Sequence, residues 1–172
     1  GSGSHAQQTA RIMTEFEAVA LKEKPDRILV VGDVNSTIAC ALVASKLQVP
    51  TAHIEAGLRS FDRAMPEEIN RILTDQIADM LFITENSAER NLLNEGVKKE
   101  KIHFVGNVMI DSLVKNLQVA DGSNILQENG FEKGGYSVIT LHRPSNVDHP
   151  SKLAELIGAL DRVAADIPVI FP

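Results

Sequence analysis

Apolar positions along this chain switch repeatedly between two periods. From Gln7 to Lys24, Ile12, Phe16, Val19 and Ala20 recur at helical spacing until Pro25 ends the run. Arg27 to Val31 is a short β-branched block closed by Gly32, which predicts a buried strand. A helix over Ser36 to Leu47 would align Ile38, Ala41, Leu42 and Ser45, and Pro50 marks the turn into a strand over Thr51 to Ile54. A loop from Ala56 to Met65 leads to a helix opened by Pro66 and running to about Ala78. Met80 to Ile83 reads as a strand, Ser87 to Asn94 as a helix stopped by Gly96, Ile102 to Val105 as a strand and Val108 to Leu117 as a helix. The rhythm then lapses: Asp121 to Gly135 holds Gly122, Gly130, Gly134 and Gly135 among polar residues, a linker or ragged helix and a candidate domain boundary. It restarts with a strand at Ser137 to Leu141, a helix at Ser151 to Ala164 and a strand at Val169 to Phe171. Strands alternating with helices imply parallel βα units, an α/β fold.

Composition narrows the partners more than the fold. At 172 residues, 44% hydrophobic and 23% charged, the chain is ordinary globular material, which excludes disorder, collagen and a disulfide scaffold for the whole. Length alone would predict one domain. No apolar run reaches the roughly 18 residues that a membrane-spanning helix needs. The polar start lacks the basic and apolar regions of a signal peptide, and the lone Cys40 suits a reducing cytosol, so the expected location is cytoplasmic. Seventeen basic against 23 acidic residues leave a net charge of −6, with no basic run longer than Lys98-Lys99, so no nucleic-acid partner is expected. A small anion remains compatible, since helix N-termini bind phosphate without net positive charge.

Ligands of open parallel sheets bind beyond the carboxyl ends of the strands. Asp33, Asn35 and Ser36 follow the first strand, Glu55 and Arg59 the second, and His142 and Arg143 the strand at Ser137 to Leu141. Glu67 and Glu68 open the helix after the long loop. Each also has a plainer reading. Asp33, Asn35 or Ser36 would cap a helix; Glu55 would pair with a surface cation; Glu67 and Glu68 would complement a helix dipole. His142 would be a satisfied loop histidine and Arg143 a solvated one. Arg59 and Arg71 would be ion-pair partners of the same carboxylates. His53, inside a strand, and Cys40, on a helical stripe, read as structural. There is no Walker A, GxGxxG, CxxC, HExxH or GxSxG sequence, which counts against dinucleotide, zinc and triad chemistry.

Five segments in order settle the choice towards one family. Gly32-Asp33-Val34-Asn35-Ser36-Thr37, His53-Ile54-Glu55-Ala56-Gly57-Leu58-Arg59, Met65-Pro66-Glu67-Glu68-Ile69-Asn70-Arg71, Gly106-Asn107-Val108-Met109-Ile110-Asp111 and Leu141-His142-Arg143 resemble the non-hydrolysing UDP-N-acetylglucosamine 2-epimerases. Gly1 to His5 alone reads as a cloning remnant, but Gly1 to Thr9 resembles an internal loop that opens a helix in that family. The resemblance implies Rossmann-like parallel sheets of a GT-B architecture, here incomplete at both ends. Residues 1–120 would form most of the N-terminal domain, 121–135 a crossover and 136–172 the start of the C-terminal nucleotide-binding domain. It further implies reversible conversion of UDP-N-acetylglucosamine to UDP-N-acetylmannosamine by elimination and re-addition of UDP, with no cofactor and no metal. An internal segment of this kind would be inactive alone. The full-length protein would be a homodimer feeding polysaccharide synthesis, with UDP-N-acetylglucosamine as an activator at a second site in many members.

Carried over residue by residue, Asp33, Glu55 and Glu67 match the family's catalytic carboxylates and His142 a cleft histidine, with Arg143, Arg59 and Asn35 as the ligand contacts. Glu68 stays a helix-start residue. A hydrolysing relative that releases N-acetylmannosamine and UDP, and an epimerase of a related UDP-diacetamido sugar, are the alternatives. A non-catalytic interaction fragment is the reading from outside enzymology.

Overall fold

The computed structural model describes residues 3–141 and 144–171. It divides into two compact units, Gly1–Val114 and Lys115–Pro172.

The first unit opens with helix α1 (His5–Glu23). Ser4 caps it reciprocally: its Oγ accepts the Gln7 N–H, and the Gln7 side chain accepts the Ser4 N–H at 3.0 Å. Lys24, in the left-handed region just before Pro25, ends it. Four parallel strands follow in spatial order: β1 (Ile28–Val31), β2 (Thr51–Ala56), β3 (Met80–Ile83) and β4 (Ile102–Phe104). Their crossovers are α2 (Asn35–Lys46), α3 (Pro66–Ile77) and α4 (Asn86–Asn94), with a single 3-10 turn at Lys99–Lys101 before β4. Gly96, at φ +84°, closes α4 as the sequence predicts: the Val97 N–H reaches the Leu92 carbonyl and the Gly96 N–H that of Leu93.

Two apolar clusters hold this unit together. Ile28 and Val30 of β1 pack with Ala41 and Ala44 of α2, with Phe16, Cys40, Val49 and Ile77 around them. Leu81 and Ile83 of β3 pack with Ala56, Ala78, Ala88, Leu92 and Ile102. Burial of this kind is worth about 25 cal/mol per Å² of apolar surface. Burial also pushes the Cys40 thiol above its ordinary value, as befits a core position.

Helix α5 (Val108–Asp121) runs four residues beyond its predicted end and carries the boundary between the units. The second unit continues with the one-turn helix α6 (Ile125–Glu128), β5 (Ser137–Val138), the short α7 (Pro144–Val147), α8 (Pro150–Ala164) and β6 (Val169–Ile170). β5 and β6 pair in parallel, and β5 is shorter than the predicted Ser137 to Leu141. The single turn α6 is what the glycine-rich stretch allows, and α7 has no counterpart in the sequence reading.

Candidate functional site

The carboxyl ends of β1 and β2 meet at Gly32, whose φ of +69° turns the chain out of the sheet into α2. The residue capping α2 is Val34, and no side chain makes a capping bond there. Asp33, Asn35 and Ser36 are therefore not consumed as helix caps. Asp33 keeps a partly exposed carboxylate, 3.6 Å from the Arg71 Nε.

Glu55 sits in a left-handed conformation at φ +70°, where β2 shifts register against β3: Ile54 pairs with Phe82 and Ala56 with Ile83. It is the extra residue of a β-bulge, which re-aims its side chain and costs roughly 1–2 kcal/mol for a residue with a Cβ. The carboxylate comes to rest over Gly32, with Oε2 3.6 Å from where a Cβ there would stand. The Glu55 carboxylate makes no hydrogen bond or ion pair among the described residues, and neither does that of Glu67, which is half-buried in the first turn of α3.

α3 reaches the same turn through Asn70, one helical turn after Glu67. The Asn70 Nδ2 donates to the Asp33 carbonyl at 2.8 Å and to the Asn35 Oδ1 at 3.3 Å. The Asn35 Nδ2 donates in turn to the His5 Nδ1 and to the Gln8 Oε1, both at 3.1 Å. Asn35, expected on the ligand, thus ties α1 and α3 to the β1–α2 turn.

Arg59 is placed differently from its expected ligand contact. Its side chain is 1% exposed, with Nε and Nη2 on the Glu95 carboxylate at 2.8 and 2.6 Å and Nη2 also 2.8 Å from Asp75. Burial works against its charge, but the bonds to Glu95 and Asp75 prevail and raise the guanidinium above its ordinary value. Gly57 lets the chain pass this point: a Cβ at its φ of +78° would stand 2.6 Å from the Ala88 carbonyl.

Glu68 is more than a helix-start residue. It is 1% exposed and accepts the backbone N–H groups of Ser60 (3.0 Å) and Phe61 (2.9 Å), with the Arg71 Nε at 3.4 Å. Desolvation would raise its pKa, yet these two donors and Arg71 outweigh it and hold the carboxyl below the usual range. The β2–α3 loop, including Phe61 at φ +59°, is clamped by this one side chain.

The structure therefore brings Asp33 and Glu55 to one turn, which α3 meets through Asn70 and Arg71, and draws Arg59 inward. His142 and Arg143 lie outside the described residues. Sequence reasoning missed Asn70 and Asp75, although both stand at helical spacings from Glu67 and Arg71 on a face that the loop must cover. Among the described residues no three His, Cys, Asp or Glu side chains gather as a metal site, and no helix is long and apolar enough to cross a membrane.

Comparison with known proteins bears on this edge directly. The family model for UDP-N-acetylglucosamine 2-epimerase matches residues 1–172. A UDP-N-acetylglucosamine 2-epimerase of Methanococcus maripaludis is 46% identical over 179 residues, covering 100% of this chain and 48% of that protein. A UDP-2,3-diacetamido-2,3-dideoxy-D-glucuronate 2-epimerase of Pseudomonas aeruginosa is 50% identical over 173 residues, covering 99% and 48%. The crystal structure of the Methanocaldococcus jannaschii UDP-GlcNAc 2-epimerase with UDP-GlcNAc and UDP superimposes with a TM-score of 0.89 at 44% identity, covering 99% and 48%. The parallel α/β sheets are those of the Rossmann-like GT-B fold that these structures share. The chain spans about half the length of the curated relatives it matches.

Proposed function

This chain belongs to the UDP-N-acetylglucosamine 2-epimerase family, and from that premise we propose that its protein interconverts UDP-N-acetylglucosamine and UDP-N-acetylmannosamine. The observation that carries this reading is the bulged Glu55, held in a strained conformation with its unpaired carboxylate over the Gly32 turn. A carboxylate is hard to justify there by binding alone, because it would repel a diphosphate.

The chemistry explains why such groups are needed. The sugar C2–H is not acidic, since its neighbours are an amide nitrogen and an acetal carbon. If the C1–O bond breaks first, its electron pair leaves with UDP and C1 becomes electron-poor. A carboxylate then takes the C2 proton, and the C–H pair becomes the C1=C2 double bond of a glycal. Return of a proton to C2 from the opposite face, with attack of UDP oxygen on C1, gives the epimer and balances every atom. Two faces require two acid–base groups, and Asp33, Glu55 and Glu67 supply them. Arg71, within ion-pair distance of both Asp33 and Glu68, keeps positive charge beside them. His142 and Arg143 are assigned to the diphosphate side, where cationic donors favour departure of the anion. The same proposal includes a homodimer and a second UDP-N-acetylglucosamine site as activator.

The test is incubation of the protein carrying this chain with UDP-N-acetylglucosamine in D₂O. Deuterium should enter at C2 of both epimers, and Asp33→Asn or Glu55→Gln should lower its entry by about 10²–10⁴-fold with the fold intact. Turnover without C2 exchange would overturn the elimination route. The 50% identity to the Pseudomonas aeruginosa relative favours a second substrate, a UDP-diacetamido uronate, tested in the same assay.

A further inference from the structure

We propose that His53 is held as a buried imidazolium and is the positioning residue for the Gly32–Asp33 turn and the Glu55 bulge. The ring is fully buried in the middle of β2. Its Nδ1 lies 2.6 Å from the Asp75 Oδ1 and its Nε2 2.8 Å from the Gly32 carbonyl oxygen. A carbonyl oxygen only accepts, so Nε2 donates. Asp75 also only accepts, because its Oδ2 takes the Gly57 N–H at 3.0 Å and lies 2.8 Å from the Arg59 Nη2, which keeps it a carboxylate. Nδ1 must then donate as well. A neutral ring would set a bare nitrogen lone pair against one of these two oxygens in a site without water access.

The charges agree with the hydrogen bonds. The groups facing the ring and its partners are Asp75 from α3, Arg59 from the β2–α3 loop and Glu95 at the end of α4. With His53 charged these four sum to zero, the Glu95 carboxylate at their edge being 29% exposed; with it neutral the set carries a net negative charge. Asp33 is one residue beyond Gly32, and Glu55 is two residues along β2 from the ring.

The consequence for the site is geometric and electrostatic. The Gly32 carbonyl is the last fixed point before Asp33, and Glu55 lies over Gly32. One charged ring therefore anchors the turn that carries Asp33 and locks the strand that carries Glu55 to α3, with its positive charge bonded to that turn at the Gly32 carbonyl.

The kinetic part of this inference rests on the proposed epimerase reading; the protonation part does not. In protein labelled with ¹⁵N-histidine, a ¹H–¹⁵N correlation spectrum at about pH 8, above the range where free histidine titrates, should show one ring with two slowly exchanging N–H signals. Those signals should vanish in His53→Gln. A His53 ring with a single N–H in the wild-type protein would overturn the proposal without any variant. In the protein carrying this chain, Asp75→Asn should lower kcat by about 10–100-fold with little change in KM, a range typical of loss of a supporting partner. A rise in KM with kcat intact would overturn the positioning role. Absence of turnover in the wild type would refute the epimerase reading alone, leaving the spectrum to judge the ring.

Discussion

Helices α2 and α3 are both 12 residues long and follow neighbouring strands of one sheet, yet they bury opposite kinds of surface. The buried positions of α2 are Thr37, Ile38, Ala39, Ala41, Val43 and Ala44, five of them apolar and small enough to let the helix approach β1 closely. The buried positions of α3 are Glu68, Asn70, Thr74 and Asp75, all polar, while Leu73 is 48% exposed. Polar burial is tolerable only when every group finds a partner. α3 meets that demand at three of these four positions by bonding outward to other elements: Glu68 to the loop, Asn70 to the β1–α2 turn, Asp75 to His53, Arg59 and Gly57, while the buried Thr74 hydroxyl has no partner among the described residues. α2 is held by packing, which is non-directional. α3 is held by directed bonds, which fix orientation, and it is the helix that presents Glu67.

Asp75→Ala should break that contrast most severely, destabilising the fold by about 3–5 kcal/mol in urea denaturation, because Arg59 and His53 lose the carboxylate that balances them. A loss under about 1 kcal/mol would mean that α3 is held as α2 is. Ile38→Ala should follow at about 2–4 kcal/mol, a cavity effect with little influence on the Gly32 turn. Glu68→Gln comes next, at about 1–2 kcal/mol, since Ser60 and Phe61 bond to different carboxylate oxygens and the amide keeps only one acceptor, turning its NH2 towards the other N–H. Glu68 also sets a pH signature. Its pKa is lower folded than unfolded, so the clamp stabilises fully above the ordinary carboxylate range and is lost as pH falls through the folded value. Hydrogen exchange at Ser60 and Phe61 should therefore accelerate only in acid, and in Glu68→Gln this pH step should be missing. Leu73→Glu should stay within about 0.5 kcal/mol, the expectation for an exposed position that packs against nothing essential.

Most elements of the first unit were legible because the hydrophobic period, Pro25, Pro50, Pro66 and Gly96 all punctuate the chain where the backbone needs them. β5 and α7 were read less well. Only two residues of β5 pair with β6, and beyond them the Ile139 N–H still reaches the Ile170 carbonyl, so strand propensity at Leu141 goes unexpressed. The placement of Asp33 beyond β1 followed from parallel topology, whereas β2 runs past its predicted end at Ile54 to Ala56 and holds Glu55 in its bulge. What no periodicity could show was the role of side chains bonded across long separations. Arg59 meets Glu95 36 residues on, and His53 meets Asp75 22 residues on. A local reading takes Arg59 as a ligand contact or a partner of the nearby carboxylates and His53 as structural, without naming Glu95 or Asp75, because those partners are set by the tertiary fold.

Glu55 has one more consequence, which concerns selection. Its left-handed backbone is a conformation that glycine adopts freely, so Glu55→Gly would relieve strain and gain roughly 1 kcal/mol. The more stable sequence is thus one substitution away and lacks the carboxylate. A screen for thermal tolerance alone would tend to erase this position, and, on the role proposed for Glu55, a screen for turnover would restore it.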